Sequence, residues 1–297
     1  MKTITLADSA GFCFGVKRAV DTALKMKEKY NNRIYTLGPL IHNNDVVNFL
    51  KENSIYPIEL DDIASLENND ILIIRSHGVS EEIFNFLKKT NLNIVDATCP
   101  YVGNIHKKVK KYYDLGYHIV IVGDKNHPEV IGINGWCNNS AVILKNDDEI
   151  GTISNKVCVV SQTTERQATW EAVLTKIIKT SKELVAFNTI CSATEVRQKS
   201  AEELSKKVDA MVIIGGFNSS NTTKLYEICK KNCENTIYVE NLLGIPDEFI
   251  KDENLKSIGV TAGASTPDWI IKEAVSKMNL IWTGTYKIYT CKKVFIL

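Results

Sequence analysis

Short apolar runs alternate with longer segments whose apolar positions recur every three or four residues, from one end of the chain to the other. That alternation of buried-strand and amphipathic-helix patterns predicts an α/β fold with largely parallel sheets. The apolar runs at 70–75, 117–123, 157–160 and 210–215 supply buried strands. Val16, Ala19, Val20, Ala23 and Leu24 share one face of a helical wheel and predict a helix with a single buried stripe, beginning directly after Cys13.

The pattern repeats. Cys13, Cys99 and Cys191 stand 86 and 92 residues apart, and each opens a helical segment. A polar loop follows a strand 29, 28 and 28 residues after the respective cysteine, at His42, His127 and Ser219. A second polar loop lies 64 residues after the first two cysteines, at His77 and Thr163, and 74 residues after the third, at Ser265. This period predicts three similar α/β modules: 1–98 including an N-terminal strand and Cys13, then 99–190 and 191–279, with 280–297 as a C-terminal tail. Open sheets bind ligands beyond the carboxyl ends of their strands. Three modules in pseudo-threefold symmetry would therefore bring three thiolates to one centre and six polar loops around it.

Composition narrows the function classes. The chain has 297 residues, 44% hydrophobic and 24% charged, with a formal net charge of +1. Neither a basic nor an acidic excess draws it to nucleic acid or anionic lipid. No run of about 18 apolar residues predicts a membrane span and no secretory signal is visible, so a cytoplasmic protein is expected. There is no glycine-rich dinucleotide fingerprint and no P-loop, which argues against direct binding of NAD(P)H or ATP. Eight cysteines are too dilute for a disulfide scaffold and must be judged one at a time as buried thiols or ligands.

A cysteine binds metal as thiolate, and a helix N-terminus favours that form. Cys13, Cys99 and Cys191 all have this placement. Gly11 and Gly15 flank Cys13, permitting close backbone approach, and Pro100 suits a first helical turn. Three distant cysteines without a C-x-x-C pair do not match a zinc finger, a thioredoxin motif or a ferredoxin run. They are compatible with a 4Fe-4S cluster in which one iron is not ligated by protein and is open to a substrate oxygen. For any one cysteine, burial as a small apolar side chain is the commoner role; Cys137, Cys158, Cys229, Cys233 and Cys291 receive that reading.

The segment AGFCFGVKRA at 10–19 resembles the opening motif of the 4-hydroxy-3-methylbut-2-enyl diphosphate reductase family. DATCP at 96–100, HPEV at 127–130, SQTT at 161–164, NSSN at 218–221 and TAGAS at 261–265 are similar to that family's site motifs in the same order, and the likeness runs from about residue 3 to 279. The resemblance implies one 4Fe-4S cluster on Cys13, Cys99 and Cys191 at the centre of three α/β modules. It also implies reductive dehydroxylation to isopentenyl and dimethylallyl diphosphate, the last step of the non-mevalonate isoprenoid pathway. Asn104 and Asn188 stand where that family commonly carries a basic residue and an aspartate.

The diphosphate of such a substrate needs many donors, and the phased polar loops offer His42, His77, His127, Gln162, Ser219, Ser220, Asn221 and Ser265. The loop 218–221 ahead of a helix suits an anion. Glu129 is the carboxylate within these loops and the candidate for proton delivery, working through Thr163 and bound water with His127 in the same network. His106 and His118 fall outside the phased loops and read as ordinary core or surface residues. Lys107, Lys108, Lys110 and Lys111 read as a solvated helix face, or as a dock for an acidic electron donor such as ferredoxin or flavodoxin. Two other classes compete: an iron-sulfur dehydratase, which needs no reductant, and a non-enzymatic cluster-based redox sensor, which would have four cysteines and no phosphate loops.

Overall fold

The computed structural model describes residues 2–145, 156–283, 287–290 and 294–296. In chain order the elements begin with β1 (Thr3–Leu6), α1 (Phe14–Lys29), β2 (Ile34–Leu37), α2 (Asn44–Glu52), β3 (Ile55–Ile58), β4 (Ile71–Ile74), α3 (Glu81–Leu87) and β5 (Asn93–Asp96). There follow α4 (Pro100–Asp114), β6 (His118–Val122), α5 (Pro128–Asn134), β7 (Val142–Leu144), β8 (Lys156–Ser161), α6 (Gln167–Ile177) and β9 (Glu183–Ala186). The last stretch is α7 (Ser192–Ser205), β10 (Ala210–Ile214), α8 (Ser220–Asn232), β11 (Thr236–Val239), α9 (Asp247–Lys251), β12 (Ser257–Ala262), α10 (Asp268–Thr283), β13 (Lys287–Thr290) and β14 (Val294–Ile296).

The strands form three sheets with one recurring order: β3-β2-β4-β5, β7-β6-β8-β9, and β11-β10-β12-β1 extended by β13 and β14. All pairings are parallel except β13 with β14. The central strands β4 and β10 are buried at every position, as parallel strands covered on both faces must be. This is the three-module α/β fold expected from the repeat. In α1 the buried stripe is Gly15, Ala19, Val20 and Ala23, with Val16 and Leu24 half-buried beside it.

Two boundaries differ from expectation. The N-terminal strand does not belong with the first module: β1 pairs with β12, Thr3 opposite Ser257 and Leu6 opposite Val260. Strand β12 is buried along nearly its whole length, so its second edge needs a partner, and β1 supplies one with Ile4 in the core. Nor is 280–297 a separate tail. Helix α10 runs on to Thr283, and β13 adds to the free edge of β1.

Compactness follows a different division. One unit comprises Met1–Phe14, His42–Val46 and Ser192–Leu297, and holds the sheet of β10, β12 and β1; the other comprises Gly15–Ile41 and Val47–Cys191, and holds the remaining two sheets. The core of the first unit is built on Val212, Ile214, Ile258 and Val260 against α10. In the second, Val120 and Val122 pack with Trp170 and Val173 on one face of their sheet, and Ile119 and Ile121 pack with Ile105 and Val109 on the other.

Candidate active site

The phased polar residues stand just beyond the carboxyl ends of strands. His42, His127 and Ser219 each follow by five residues the last residue of β2, β6 and β10, and His77, Thr163 and Ser265 follow β4, β8 and β12 by two or three. Part of the longer third interval lies between β11 and β12, where a 3-10 turn at Leu242–Gly244 and helix α9 take more residues than the 3-10 helix at Leu60–Ser65 between β3 and β4.

Each of the three phased cysteines is anchored in the same way. Cys99 donates its backbone N–H to the carbonyl of Ser76 at 3.0 Å, Cys191 to Thr163 at 3.1 Å and Cys13 to Ala264 at 3.1 Å. The acceptor lies every time on the second polar loop of the preceding repeat, counted cyclically, so each thiol is tied to the loop that ends the repeat before its own. All three thiols are half-exposed, while Cys137, Cys158, Cys229 and Cys233 are buried. Burial pushes the Cys158 and Cys229 thiols up to about 12 and raises that of Cys137, which keeps them protonated and unfit for metal. Cys291 lies outside the described residues. The donor set of Cys13, Cys99 and Cys191 thus fits a thiolate-bound metal group. Gly15 adds to the fit, because a Cβ there would come within 2.6 Å of the Cys99 sulfur.

In the unit that contains Cys99 and Cys191, Glu129 is 3% exposed. Its Oε1 accepts the Thr163 N–H at 2.6 Å and its Oε2 accepts the Thr163 hydroxyl at 2.7 Å. A buried carboxylate, a hydroxyl and the backbone of Cys191 therefore form one chain of contacts. His127 caps α5, and its Nδ1 accepts the Glu129 N–H at 3.2 Å. With Nδ1 accepting, the neutral form of the ring carries its proton on Nε2. The His77 ring lies edge-on to it, centroids 5.5 Å apart. Gln162 is fully buried with both ends of its amide engaged, Oε1 accepting the Asp124 N–H at 3.1 Å and Nε2 donating to Thr164 Oγ1 at 2.9 Å. These bonds shape the loop that carries Thr163.

In the other unit, Ser219 caps α8, its Oγ accepting the Thr222 N–H at 3.3 Å, and Ser220 is the first residue of that helix. Asn221 is 3% exposed, and both polar atoms of its amide are buried without a hydrogen-bond partner. Orphaned buried amides are rare, and the start of a helix is where an anion is held. Ser265 Oγ donates to the carbonyl of His42 at 3.0 Å, joining the first and second polar loops of this unit.

Of the residues set aside, His118 is half-buried at the start of β6 and His106 is 5% exposed, stacked on Trp136 with ring centroids 5.2 Å apart. Asn188 makes an Asx turn ahead of Cys191, accepting the Ile190 N–H at 3.2 Å, just as Asp96 accepts the Thr98 N–H at 2.8 Å ahead of Cys99. Spacing alone did not single out Arg18 and Arg197, whose side chains reach the backbone ahead of Cys99 and Cys13. Their place on the second turns of the helices that follow Cys13 and Cys191 was the available signal.

Fold and site together define a three-module α/β protein with a cysteine at the start of one helix in each repeat and polar loops beside it. A family model described as LytB protein matches residues 4–279, and the chain belongs to that family. It is 60% identical over 278 residues to a 4-hydroxy-3-methylbut-2-enyl diphosphate reductase of Clostridium perfringens, covering 94% of this chain and 99% of that one. Among solved structures, it is similar to an (E)-4-hydroxy-3-methyl-but-2-enyl diphosphate reductase, the terminal enzyme of the non-mevalonate pathway, with 41% identity, a TM-score of 0.70, and 94% and 99% of the two chains covered. The corresponding values for an E-1-hydroxy-2-methyl-but-2-enyl-4-diphosphate reductase from Plasmodium falciparum are 27%, 0.88, 100% and 94%.

Proposed function

We propose that this protein is a reductase that removes the hydroxyl of 4-hydroxy-3-methylbut-2-enyl diphosphate, releasing isopentenyl and dimethylallyl diphosphate as the last step of the non-mevalonate pathway. The observation that carries the reading is the buried Glu129–Thr163 pair on the loop that also anchors Cys191, in a chain 60% identical to reductases of that name. Cys13, Cys99 and Cys191 would hold a 4Fe-4S cluster with one iron not ligated by protein, and that group would relay two electrons, one at a time, from an external donor and supply a Lewis-acidic metal.

The chain's own residues bind, orient and move protons. His77 and His127 in one unit, and His42, Ser219, Ser220, Asn221 and Ser265 in the other, supply donors for the diphosphate, with the Asn221 amide taking up its missing partners there. Gln162 holds the loop of Thr163 in place. Net reduction replaces a carbon-bound hydroxyl by hydrogen and releases water, consuming two electrons and two protons. In the resting arrangement Thr163 donates to Glu129 from both N–H and O–H. A proton taken up on Oε2 reverses the side-chain bond, so that Glu129 donates to Thr163 Oγ1 and the threonine hydrogen turns toward the substrate. His127, bonded to the backbone N–H of Glu129, belongs to the same relay.

Among the described residues no helix is long and apolar enough to cross a membrane. The reading places the protein in the cytoplasm with a ferredoxin or flavodoxin as electron donor. Anaerobic purification with iron and sulfide analysis, followed by assay with reduced viologen and the hydroxylated diphosphate, tests it. Brown, iron-loaded protein that turns over only with reductant is expected. Turnover without reductant would move the protein to the dehydratases, and colourless, iron-free material would overturn the reading altogether.

A further inference from the structure

We propose that Arg18 and Arg197 are positioning residues, each bracing the backbone just ahead of a cluster-binding cysteine: Arg18 for Cys99 and Arg197 for Cys13. The inference rests on the reading that these cysteines hold the cluster.

Arg18 lies on α1. Its Nη1 donates to the carbonyls of Thr98 at 3.0 Å and Ala97 at 3.4 Å, and its Nη2 to that of Asp96 at 3.5 Å. Three consecutive carbonyls ahead of Cys99 thus face one guanidinium. Gly15, three residues earlier and so on the same face of the helix, is the residue whose absent Cβ lets α1 lie against the Cys99 sulfur. Helix α1 therefore holds Cys99 at two points, by close approach at the sulfur and by a forked donor at the preceding loop.

Arg197 repeats the device in the other unit. It lies on α7, is 5% exposed, and donates from Nη2 to the carbonyl of Gly11 at 2.7 Å and from Nη1 to that of Ala193 at 2.8 Å. Gly11, two residues ahead of Cys13, has a φ of +95°, a conformation that favours glycine. A carbonyl in so unusual a backbone segment gains a fixed orientation from a buried guanidinium. Arginine is the side chain suited to such work, since its planar fork spans two acceptors where a lysine offers a point charge.

The two braces follow one rule: the helix after a cysteine holds the loop ahead of the next, from Cys13 to Cys99 and from Cys191 round to Cys13. The middle repeat departs from it. Asn104 occupies on α4 the place that Arg18 has on α1, and the loop ahead of Cys191 is held instead by Thr189, whose Oγ1 donates to the Ser161 carbonyl at 2.6 Å and accepts the Ser161 N–H at 2.7 Å. A cluster on these cysteines would sense a positive charge beside two of its three ligand loops. Such charges and the groups that orient ligands tune both potential and retention.

The test uses anaerobically prepared, cluster-loaded protein with the substitutions R18A, R18K and R197K. K17A serves as control, because Lys17 is an exposed neighbour paired only with Asp21 in the described contacts. Cluster loss to a chelator, the cluster's reduction potential and the melting temperature of the cluster-free chain are measured for each. R18A is expected to lose its cluster about tenfold faster than K17A and to show a more negative potential. R18K should restore the potential, because the charge remains, but not the retention, because the fork is gone. R197K should lose its cluster faster without a matching drop in melting temperature. Cluster loss and potential in R18K and R197K indistinguishable from K17A would overturn the proposal, as would changes that merely track melting temperature. A wild-type chain that takes up no cluster would sink the underlying reading and is told apart at the outset.

Discussion

In the proposed mechanism a single side chain, Glu129, carries proton delivery for the site. At 3% exposure it keeps two short hydrogen bonds from Thr163; holding the loop needs only an acceptor oxygen, whereas the proposed proton transfer needs the carboxylate. E129Q, which keeps an acceptor oxygen for the Thr163 N–H, is expected to retain cluster colour and substrate binding while losing two to four orders of magnitude, roughly, in turnover; anaerobic binding and steady-state assays separate the two. His106 makes the opposite case of a buried group outside the chemistry. Burial lowers its pKa to about 4, against a smaller opposing effect of Asp96, and its Nε2 has no partner. The unfolded chain takes up this proton near pH 6.5 and the folded chain only near 4, so stability is full above about 6.5 and falls as pH drops toward 4. Urea unfolding of the cluster-free protein should show a loss of about 2 kcal/mol from this residue by pH 5, and H106F should remove that part of the pH dependence. The phased residues were legible because chemistry-bearing types recur at fixed offsets from each cysteine. His106 was legible only as an ordinary histidine, since nothing local announces that Trp136 stacks on it.

At the scale of elements, the apolar runs at 70–75, 157–160 and 210–215 were readable as strands because parallel strands buried on both faces spell nearly continuous hydrophobic sequence. Helix α1 was readable by its stripe and α4 by the cysteine and proline at its start. Partners across the sheet were not: the pairing of β1 with β12 joins opposite ends of the chain, and no local pattern records it. The lysine face of α4 is also clearer in three dimensions. Lys110 is held by Asp114 at 3.0 Å and Glu81 at 3.4 Å, and Lys108 lies over the Phe187 ring; Lys107 and Lys111 are exposed, the latter 5.5 Å from the Tyr112 ring centroid. If an acidic donor docks there, K107E with K111E should lower turnover with ferredoxin or flavodoxin and leave viologen-driven turnover unchanged; equal losses with both would dismiss the docking role.

For the molecule as a whole, the repeat is a property of topology as well as of spacing. The same strand order recurs in all three sheets only because β1 takes the place in the last sheet that β5 and β9 take in the others. The N-terminal strand should accordingly behave as core. Ile4 is 1% exposed, and I4A should cost about 2 to 4 kcal/mol in urea unfolding, like a central-strand substitution; a loss near zero would mark β1 as an appendage.

That seam sets an order on biogenesis. Strand β1 cannot find its neighbour until Ser257 and the residues after it have been made, so the last sheet closes through a contact of very long range in sequence, the slow kind to form. Until then β1, with Cys13 just behind it, lacks the strand that covers it. On the proposed reading, metal loading at that thiol should therefore follow the closing step.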